Sequence, residues 1–394
     1  MEQRINRNIP LLFLMKICHL FMLYMPVVKL FYVENNLKDF DLFFLHAIYS
    51  AVIFLTEIPS GYIADVWGRK KSMQLGLFMG LLGFVTYSFS YGFWGFLLAE
   101  IALGIGQGFI SGSDSALLYD SLLQQKKQNR YIRYEGQISG AGNIAEALAG
   151  IVVSLIAFTT MRNYYYIQAG LSGLALTFSW CLTEPRVHGQ KQEISVQHII
   201  RVVKDTLWKN RKLSRYVIFS GLIGFSSLSM AWFAQIFIYE ASVPAKYFGY
   251  LWTLLNGMVA LGSFSAHFAD RFLGPRYVLF YILLFMSGGY FVASQTIAPY
   301  GILFLLLFYY ARGTAHPILK DRINTLTESN VRATVLSVRS LLIRILFAGL
   351  GPFLGWFTQQ ISLSFALILA GSVILLPGMI LLKLLAVNKS SSGR

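Results

Sequence analysis

Four polar side chains interrupt one long apolar stretch of the sequence: Glu100, Gln107, Ser111 and Asp114. Their offsets of 7, 11 and 14 residues place them within about 60° of one face of an α-helix. Burial disfavours the charged form of a carboxylate, so Glu100 and Asp114 can take up and release protons near neutral pH. Two interpretations stay open: the acids carry protons, or they fix helix packing through hydrogen bonds.

Ionisable side chains also lie inside other apolar stretches. Glu146 is either a proton relay or a structural partner of a neighbouring helix. Lys16, Arg312 and Arg344 either bind an anionic group of a substrate or pair with the buried acids. A charge at the centre of a bilayer costs about 2.5–3.5 kcal/mol on insertion scales, so each of these residues is a functional candidate.

Uncharged polar residues raise the same question further along the chain. Trp232, Gln235 and Tyr239 fall on one face of a helix, because their offsets are 3 and 7 residues. That face either lines a substrate pocket or packs in the protein core.

The composition indicates that these side chains lie in a membrane. The chain has 394 residues, of which 56% are hydrophobic and 13% charged, whereas soluble domains carry about 25% charged residues. Apolar runs of about 20 residues can cross a bilayer, and we predict an all-α membrane protein with twelve transmembrane helices. The runs are 9–33, 40–64, 73–90, 93–120, 136–158, 164–183, 214–241, 246–270, 275–294, 298–325, 332–358 and 362–386. The first run is expected to be a retained helix and not a cleaved signal peptide.

The formal net charge of +15 is concentrated in every second connection. Basic clusters include Arg69–Lys71 and Lys126–Arg133, whereas the alternate connections hold few Lys or Arg residues. Lys and Arg near helix ends mark the cytoplasmic side, so we expect both termini in the cytoplasm of a bacterial cell with the chain in the inner membrane. No basic face exists apart from these connections, which argues against nucleic acid as a partner.

A polar stretch divides the chain into two halves. We predict a six-helix half at 1–183, a cytoplasmic linker at 184–213, and a second six-helix half at 214–394. The linker contains an amphipathic helix pattern, which lies either on the membrane surface or in solvent. Asp65 and Asp120 recur about 200 positions later as Asp270 and Asp321, as expected for two parallel six-helix repeats with a substrate site near the bilayer midplane.

The segment from Gly61 to Lys71 reads GYIADVWGRKK. This pattern resembles the loop 2–3 signature of the major facilitator superfamily, G-x-x-x-D-x-x-G-R-K. Gly61 permits close helix approach and Gly68 a sharp turn, Asp65 can accept bonds from backbone N–H groups at a helix N-terminus, and Arg69 can hold a carboxylate. We interpret Gly61, Asp65, Gly68, Arg69 and Lys70 as a gate.

With Glu57 and Pro59, which we also assign to the gate, the segment is similar to the extended motif of the P-type tetracycline efflux proteins. A coupling site is the alternative role for Glu57. The resemblance implies the major facilitator fold, secondary active transport and proton-coupled export. The chain departs from the family in three places. Glu100 stands near the position where an arginine is frequent, the fifth helix lacks the antiporter proline, and Leu273 aligns with Gly68 while Gly274 is displaced, so the second gate is expected to be degenerate.

Our hypothesis is an antiporter that exports a drug-like or amphipathic metabolite such as a siderophore, by alternating access. The alternative is a proton-coupled importer or facilitator of a small nutrient or siderophore. We expect a monomer whose partners are the lipid bilayer, a small-molecule substrate and protons, with no cofactor and no metal. No Ser/His/Asp, HExxH or Walker pattern appears, which argues against an enzyme. Cys18 and Cys181 are predicted to be small buried side chains.

Overall fold

The computed structural model describes residues 5–156, 159–185, 210–327 and 331–387. The side chains of Ile58, Asp65, Arg276 and Ala333 lie outside this description. The expected amphipathic helix of the linker also falls outside the described residues.

Every regular element in the described residues is helical. The α-helices are α1 (Asn8–Leu20), α2 (Val28–Glu34), α3 (Asp39–Trp67), α4 (Arg69–Phe89), α5 (Phe93–Ile110), α6 (Ser113–Gln124), α7 (Tyr131–Ile156), α8 (Arg162–Trp180), α9 (Arg211–Glu240), α10 (Phe248–Gln295), α11 (Ile302–Thr325), α12 (Arg332–Gln360) and α13 (Leu363–Val387). Short 3-10 turns lead into α2, α7, α10 and α11. An all-helical membrane fold is therefore confirmed.

Within the described residues, 10 helical segments are long and apolar enough to cross a membrane. The expected spans 164–183 and 246–270 are not among them. The first corresponds to α8, which begins with Arg162, Asn163 and three tyrosines, and the second to the early part of α10, which carries Asp270 and Arg271. These polar residues lower the mean hydropathy of both helices.

Helix α10 contains a sharp break. Gly274 has φ 75° and ψ 165°, outside the helical region, and Pro275 follows it. A proline disfavours the α conformation of the preceding residue, and glycine adopts a positive φ without a steric penalty. The sequence therefore ends one helical segment and begins another at this point.

The chain forms two compact units. The first unit comprises Met1–Leu37, Ile48–Ile194 and Ala245–Thr253, and the second comprises Lys38–Ala47, Ser195–Pro244 and Leu254–Arg394.

In the first unit, side chains join the start of α8 to the end of α2 and to the end of α4. The carboxylate of Glu34 accepts hydrogen bonds from the backbone N–H of Met161, directly before α8. The guanidinium of Arg162 donates to the carbonyls of Tyr87, Ser88 and Ser90 at the end of α4. These bonds satisfy backbone groups that helix ends leave without an intrahelical partner.

The second unit packs through small residues. A Cβ atom added to Gly221 or Gly224 of α9 would lie 2.4 Å from Leu342 or 2.2 Å from Ile343 of α12, so these two helices are in close contact. Leu213, Val217, Ile323, Val335 and Val338 form a core cluster in this unit.

The expectation of two buried cysteines was wrong. Cys18 is partly buried, and Cys181, directly after α8, is exposed.

Candidate functional site

A polar pocket of about 210 Å³ lies in the first unit. Its walls come from α1, α4, α5, α6 and α7, and include the apolar residues Leu12, Met15, Met73, Leu77, Ile110, Leu118 and Ile138. Its polar lining is formed by Lys16, His19, Gln107, Ser111, Asp114, Ser115 and Glu135. Polar and ionisable groups that converge between apolar walls are typical of a small-molecule site.

A helix break creates this pocket. Helix α5 ends at Ile110, Ser111 has ψ 121°, Gly112 has φ 81°, and α6 begins at Ser113. Asp114 lies in the first turn of α6, where the helix macrodipole favours a negative charge. One oxygen of its carboxylate accepts the backbone N–H of Ser115 at 2.8 Å.

The prediction that Glu100, Gln107, Ser111 and Asp114 share one helix face assumed a continuous helix, and this assumption was wrong. Gln107, Ser111 and Asp114 do line the pocket, but the break at Gly112 lies between the last two. Glu100 lies elsewhere, near the start of α5. Sequence reasoning missed the break because a glycine in an apolar run also fits tight helix packing.

Lys16 and Asp114 form the ion pair of the pocket. The Nζ atom of Lys16 lies 3.1 Å from Oδ2 of Asp114, and the side chains are 28% and 24% exposed. Beside them, the imidazole Nε2 of His19 donates to Oε1 of Gln107 at 3.2 Å. The exposure indicates that solvent reaches the pair.

Ser115 connects two carboxylates. Its backbone N–H bonds Asp114, and its hydroxyl donates to Oε1 of Glu135 on α7 at 2.8 Å. Glu135 and Ser115 were not singled out from the sequence, because Glu135 lies in the first turns of α7 beside a basic connection and reads as a surface residue. The arrangement places two acids on either side of one serine.

Glu100 belongs to a separate buried network. It is 4% exposed, and Oε1 accepts the hydroxyl of Tyr87 at 2.5 Å. The hydroxyl of Tyr87 also lies 3.0 Å from that of Tyr32, and the rings of Phe96 and Tyr165 pack against Tyr87. A carboxyl group among aromatic rings is held here as a hydrogen-bonding partner.

The gate segment forms the turn between α3 and α4. Gly68 has φ 102°, and a Cβ atom there would lie 3.1 Å from the carboxylate carbon of Glu184, so a side chain at this position is doubly unfavourable. Glu184 accepts the backbone N–H groups of Arg69 and Lys70 at 2.9 and 2.8 Å. This carboxylate therefore binds the N-terminus of α4, a role that the sequence suggested for Asp65.

Two further contacts join this turn to its neighbours. The Nζ atom of Lys70 donates to the carbonyls of Trp180 and Leu182 at the end of α8. The Nε atom of Arg69 lies 3.0 Å from Oδ2 of Asp120 on α6. The gate arginine is thus paired with the acid that closes the fourth expected span.

The second unit contains an equivalent turn, in which the acidic and the basic partner of the ion pair have exchanged helices. Gly274 adopts a positive φ as Gly68 does, so the expectation that Leu273 stands in the turn position was wrong by one residue. Here the acid precedes the turn and the cation lies on the other helix: Asp270 accepts from Arg322, near the end of α11. The sequence comparison missed that Gly274 is equivalent to Gly68, because the second turn has one extra residue.

The remaining candidates lie outside the pocket lining. Glu57 and Glu146 are partly buried, and Pro59 and Gly61 are exposed within α3. Trp232 and Gln235 are buried, Tyr239 is 39% exposed, and the Trp232 ring lies 3.6 Å from the ring of His46. Arg312 and Arg344 are partly buried in α11 and α12. In the part of the chain that the structure describes, no group of three His, Cys, Asp or Glu residues is placed to hold a metal ion.

The apolar helices define a multi-pass membrane protein, and the broken helix with its ionisable pocket is a feature of membrane transporters. Residues 12–352 match the family model of the Major Facilitator Superfamily, and the chain belongs to this superfamily of transporters. Its relatives are named as transporters and not as enzymes.

Two relatives illustrate the similarity. An uncharacterized transporter of Buchnera aphidicola is 22% identical over 353 residues, which cover 86% of each chain. An uncharacterized MFS-type transporter of Methanocaldococcus jannaschii is 19% identical over 273 residues, which cover 69% of this chain and 70% of the other.

Solved structures share the fold. The nucleoside transporter NupG superposes with a TM-score of 0.75 at 15% identity, covering 98% of each chain. A POT family transporter in complex with 5-aminolevulinic acid superposes with a TM-score of 0.72 at 14% identity, covering 95% of each chain.

Proposed function

We propose that this protein is a proton-coupled transporter of the bacterial inner membrane that exports a small amphipathic solute by alternating access. The observation that carries the proposal is the Lys16–Asp114 ion pair beside the helix break at Gly112. Twelve spans in two six-helix repeats, with cytoplasmic termini and a linker at 184–213, are part of the proposal.

In the proposed cycle, a proton competes with Lys16 for Asp114. Protonation of the carboxylate removes its charge, so the attraction to Lys16 is lost and the first turn of α6 is free to shift about Gly112. Ser115 holds both carboxylates at the pocket wall, Asp114 through its backbone N–H and Glu135 through its hydroxyl. Proton binding is thereby coupled to a movement of the pocket wall.

The gate residues have a different role in the proposal. Glu184 holds the N-terminus of α4, and Arg69 links that turn to the end of α6. An ion pair of this kind, with side chains 28% and 17% exposed, contributes at most about 1 kcal/mol. Such a contact can break and re-form in every transport cycle.

The direction of transport rests on the resemblance to the P-type efflux proteins. A second candidate function is uptake of a small polar nutrient, which is favoured by the fold neighbours, a nucleoside transporter and a POT family transporter with 5-aminolevulinic acid. Both candidates use the same coupling pair.

The test is flux into liposomes that contain the purified full-length protein, with an imposed pH gradient and a panel of labelled drugs, siderophores, nucleosides and amino acids. Accumulation on the side from which protons leave supports antiport, and movement with the protons supports uptake. A panel solute that moves at the same rate with and without the gradient contradicts proton coupling. Liposomes without protein are the control for passive leak, and the Asp114→Asn variant is the matched control for loss of coupling.

A further inference from the structure

The long helices of the second unit carry cations at mid-depth and no acids there. Among α9 to α13, the acidic residues are Glu240, Asp270 and Asp321. Glu240 is the last residue of α9, Asp270 lies just before the break at Gly274, and Asp321 lies in the last turns of α11. Each acid is therefore close to a helix end.

Four basic side chains lie deeper, in two layers. Arg312 lies 13 residues before the end of α11 and Arg344 lies 12 residues after the start of α12, which corresponds to about 20 and 18 Å of helix rise. The end of α11 is followed in the chain by the start of α12, so both depths are measured from the same side of this unit. His316 and Arg339 form the second layer, at about 14 and 10 Å by the same measure.

Arg312, His316 and Arg339 lie near one another, and Arg344 shares the depth of Arg312. His316 lies close enough to Arg312 and Arg339 for their charges to act on it. The partners of the arginines are neutral: Arg312 stands over the ring of Tyr309 at 5.3 Å, and Arg339 donates to the hydroxyl of Ser220. Within the described residues, the Nε atom of Arg344 is buried without a hydrogen-bond partner.

No carboxylate of the described residues forms a salt bridge with Arg312, Arg339 or Arg344; the described salt bridges of the second unit all involve Arg322. Guanidinium groups at this depth are expensive without a counter-charge. The planar guanidinium fork matches the geometry of a carboxylate or a phosphate. These positive charges, which no carboxylate of the described residues neutralises, are therefore suited to bind an anionic ligand.

We infer that Arg312, with His316 and Arg339 near it, and Arg344 at the same depth bind an anionic group of the transported solute, either a carboxylate or a phosphate. This inference rests on the proposed function, because it names the substrate class of the same transporter. It is independent of the Lys16–Asp114 pair.

The test uses the full-length protein in nanodiscs of neutral lipid, and thermal unfolding at constant ionic strength. Three probes are titrated: sodium salicylate, which is an aryl carboxylate, its uncharged analogue salicylamide, and inorganic phosphate. We expect at least one anion to raise Tm in a saturable way, and salicylamide to have no effect. Binding should weaken by about 10- to 100-fold in Arg312→Gln and in Arg344→Gln, as expected for loss of a charge-assisted contact.

Lys383→Gln is the matched control, because it removes one exposed positive charge from α13 of the same unit and should leave binding unchanged. Arg312→Lys and Arg344→Lys keep the charge if a glutamine variant fails to fold, and should show an intermediate loss. Failure of both anions to raise Tm, or equal binding by the wild type and the glutamine variants, overturns the inference.

A structural role for these arginines makes a different prediction. If they only support packing, the ligand-free Tm falls in the glutamine variants while anion affinity stays the same, and this result also overturns the inference. We expect the ligand-free Tm to stay level or to rise, because an unpaired buried charge is removed. If anions bind but flux ignores the pH gradient, only the proposed coupling fails.

Discussion

Lys16 of α1 and Asp114 of α6 are 98 residues apart in the sequence and form an ion pair at 3.1 Å. The pair lies beside Gly112, the glycine with a positive φ directly before α6. The charged groups and the expected hinge are therefore at the same place. This juxtaposition allows a change in protonation to act directly on the backbone break.

Replacement of Asp114 tests the coupling. We expect Asp114→Asn to remove the dependence of flux on the pH gradient, because the amide cannot take up a proton in this range. The unfolding free energy should fall by no more than about 1 kcal/mol, since the pair is partly exposed. The measurement is gradient-driven uptake in liposomes together with thermal unfolding in detergent.

The double variant Lys16→Gln with Asp114→Asn is the control. It removes both charges, so stability should return toward that of the wild type while gradient dependence stays lost. A single Asp114→Asn variant with the wild-type pH profile would exclude this residue from coupling.

Replacement of Gly112 tests the hinge. A Cβ atom at Gly112 would meet nothing within 4 Å, so Gly112→Ala changes only the backbone preference at φ 81°. We expect a loss of about 1–2 kcal/mol of stability and slower transport. Gly170→Ala in α8 also has open space and should be neutral or slightly stabilising; equal effects of the two variants would contradict a hinge at Gly112.

Replacement of Glu184 tests the turn between α3 and α4. Glu184→Ala leaves the N–H groups of Arg69 and Lys70 without their acceptor, and we expect a loss of about 1 kcal/mol. Lys71→Ala, in the same helix turn and exposed, controls for the change in local charge. Unchanged thermal unfolding of the Glu184→Ala variant would show that the contact contributes nothing.

The reversed charges of the two units suggest a swap. Arg69→Asp and Asp120→Arg should each impair transport, because each places like charges opposite each other. The double swap reproduces the order found at Asp270 and Arg322 and should recover part of the activity, with a coupling energy of about 1 kcal/mol in a double-mutant cycle. Additive losses in the double variant would mean that the pair is not a functional contact.

The sequence predicted the membrane class and most of the spans, because hydrocarbon imposes long apolar runs. It also singled out Arg69 and Asp120, although not as partners. It named Lys16 and Asp114 as ion-pair candidates but did not match them to each other, since contacts between distant positions depend on packing that no local pattern encodes.

The other differences have local causes. Gly112 reads equally as a packing residue or as a break, and only the observed φ decides between them. Gly274 was not recognised as the turn glycine of the second unit, because a single extra residue precedes that turn. Glu135 was overlooked because an acid beside Arg133 reads as an exposed surface residue, whereas its carboxylate accepts the hydroxyl of Ser115.

The α4–α8 pair has a mechanical consequence. Arg162 joins the two helices at one end, and Lys70 with Glu184 joins them at the other. Two helices bonded at both ends resist sliding past each other, so we expect them to form a stationary frame against which α6 moves. Backbone amides of α4 and α8 should therefore exchange with deuterium most slowly in this unit, at a rate that does not change when the transporter turns over.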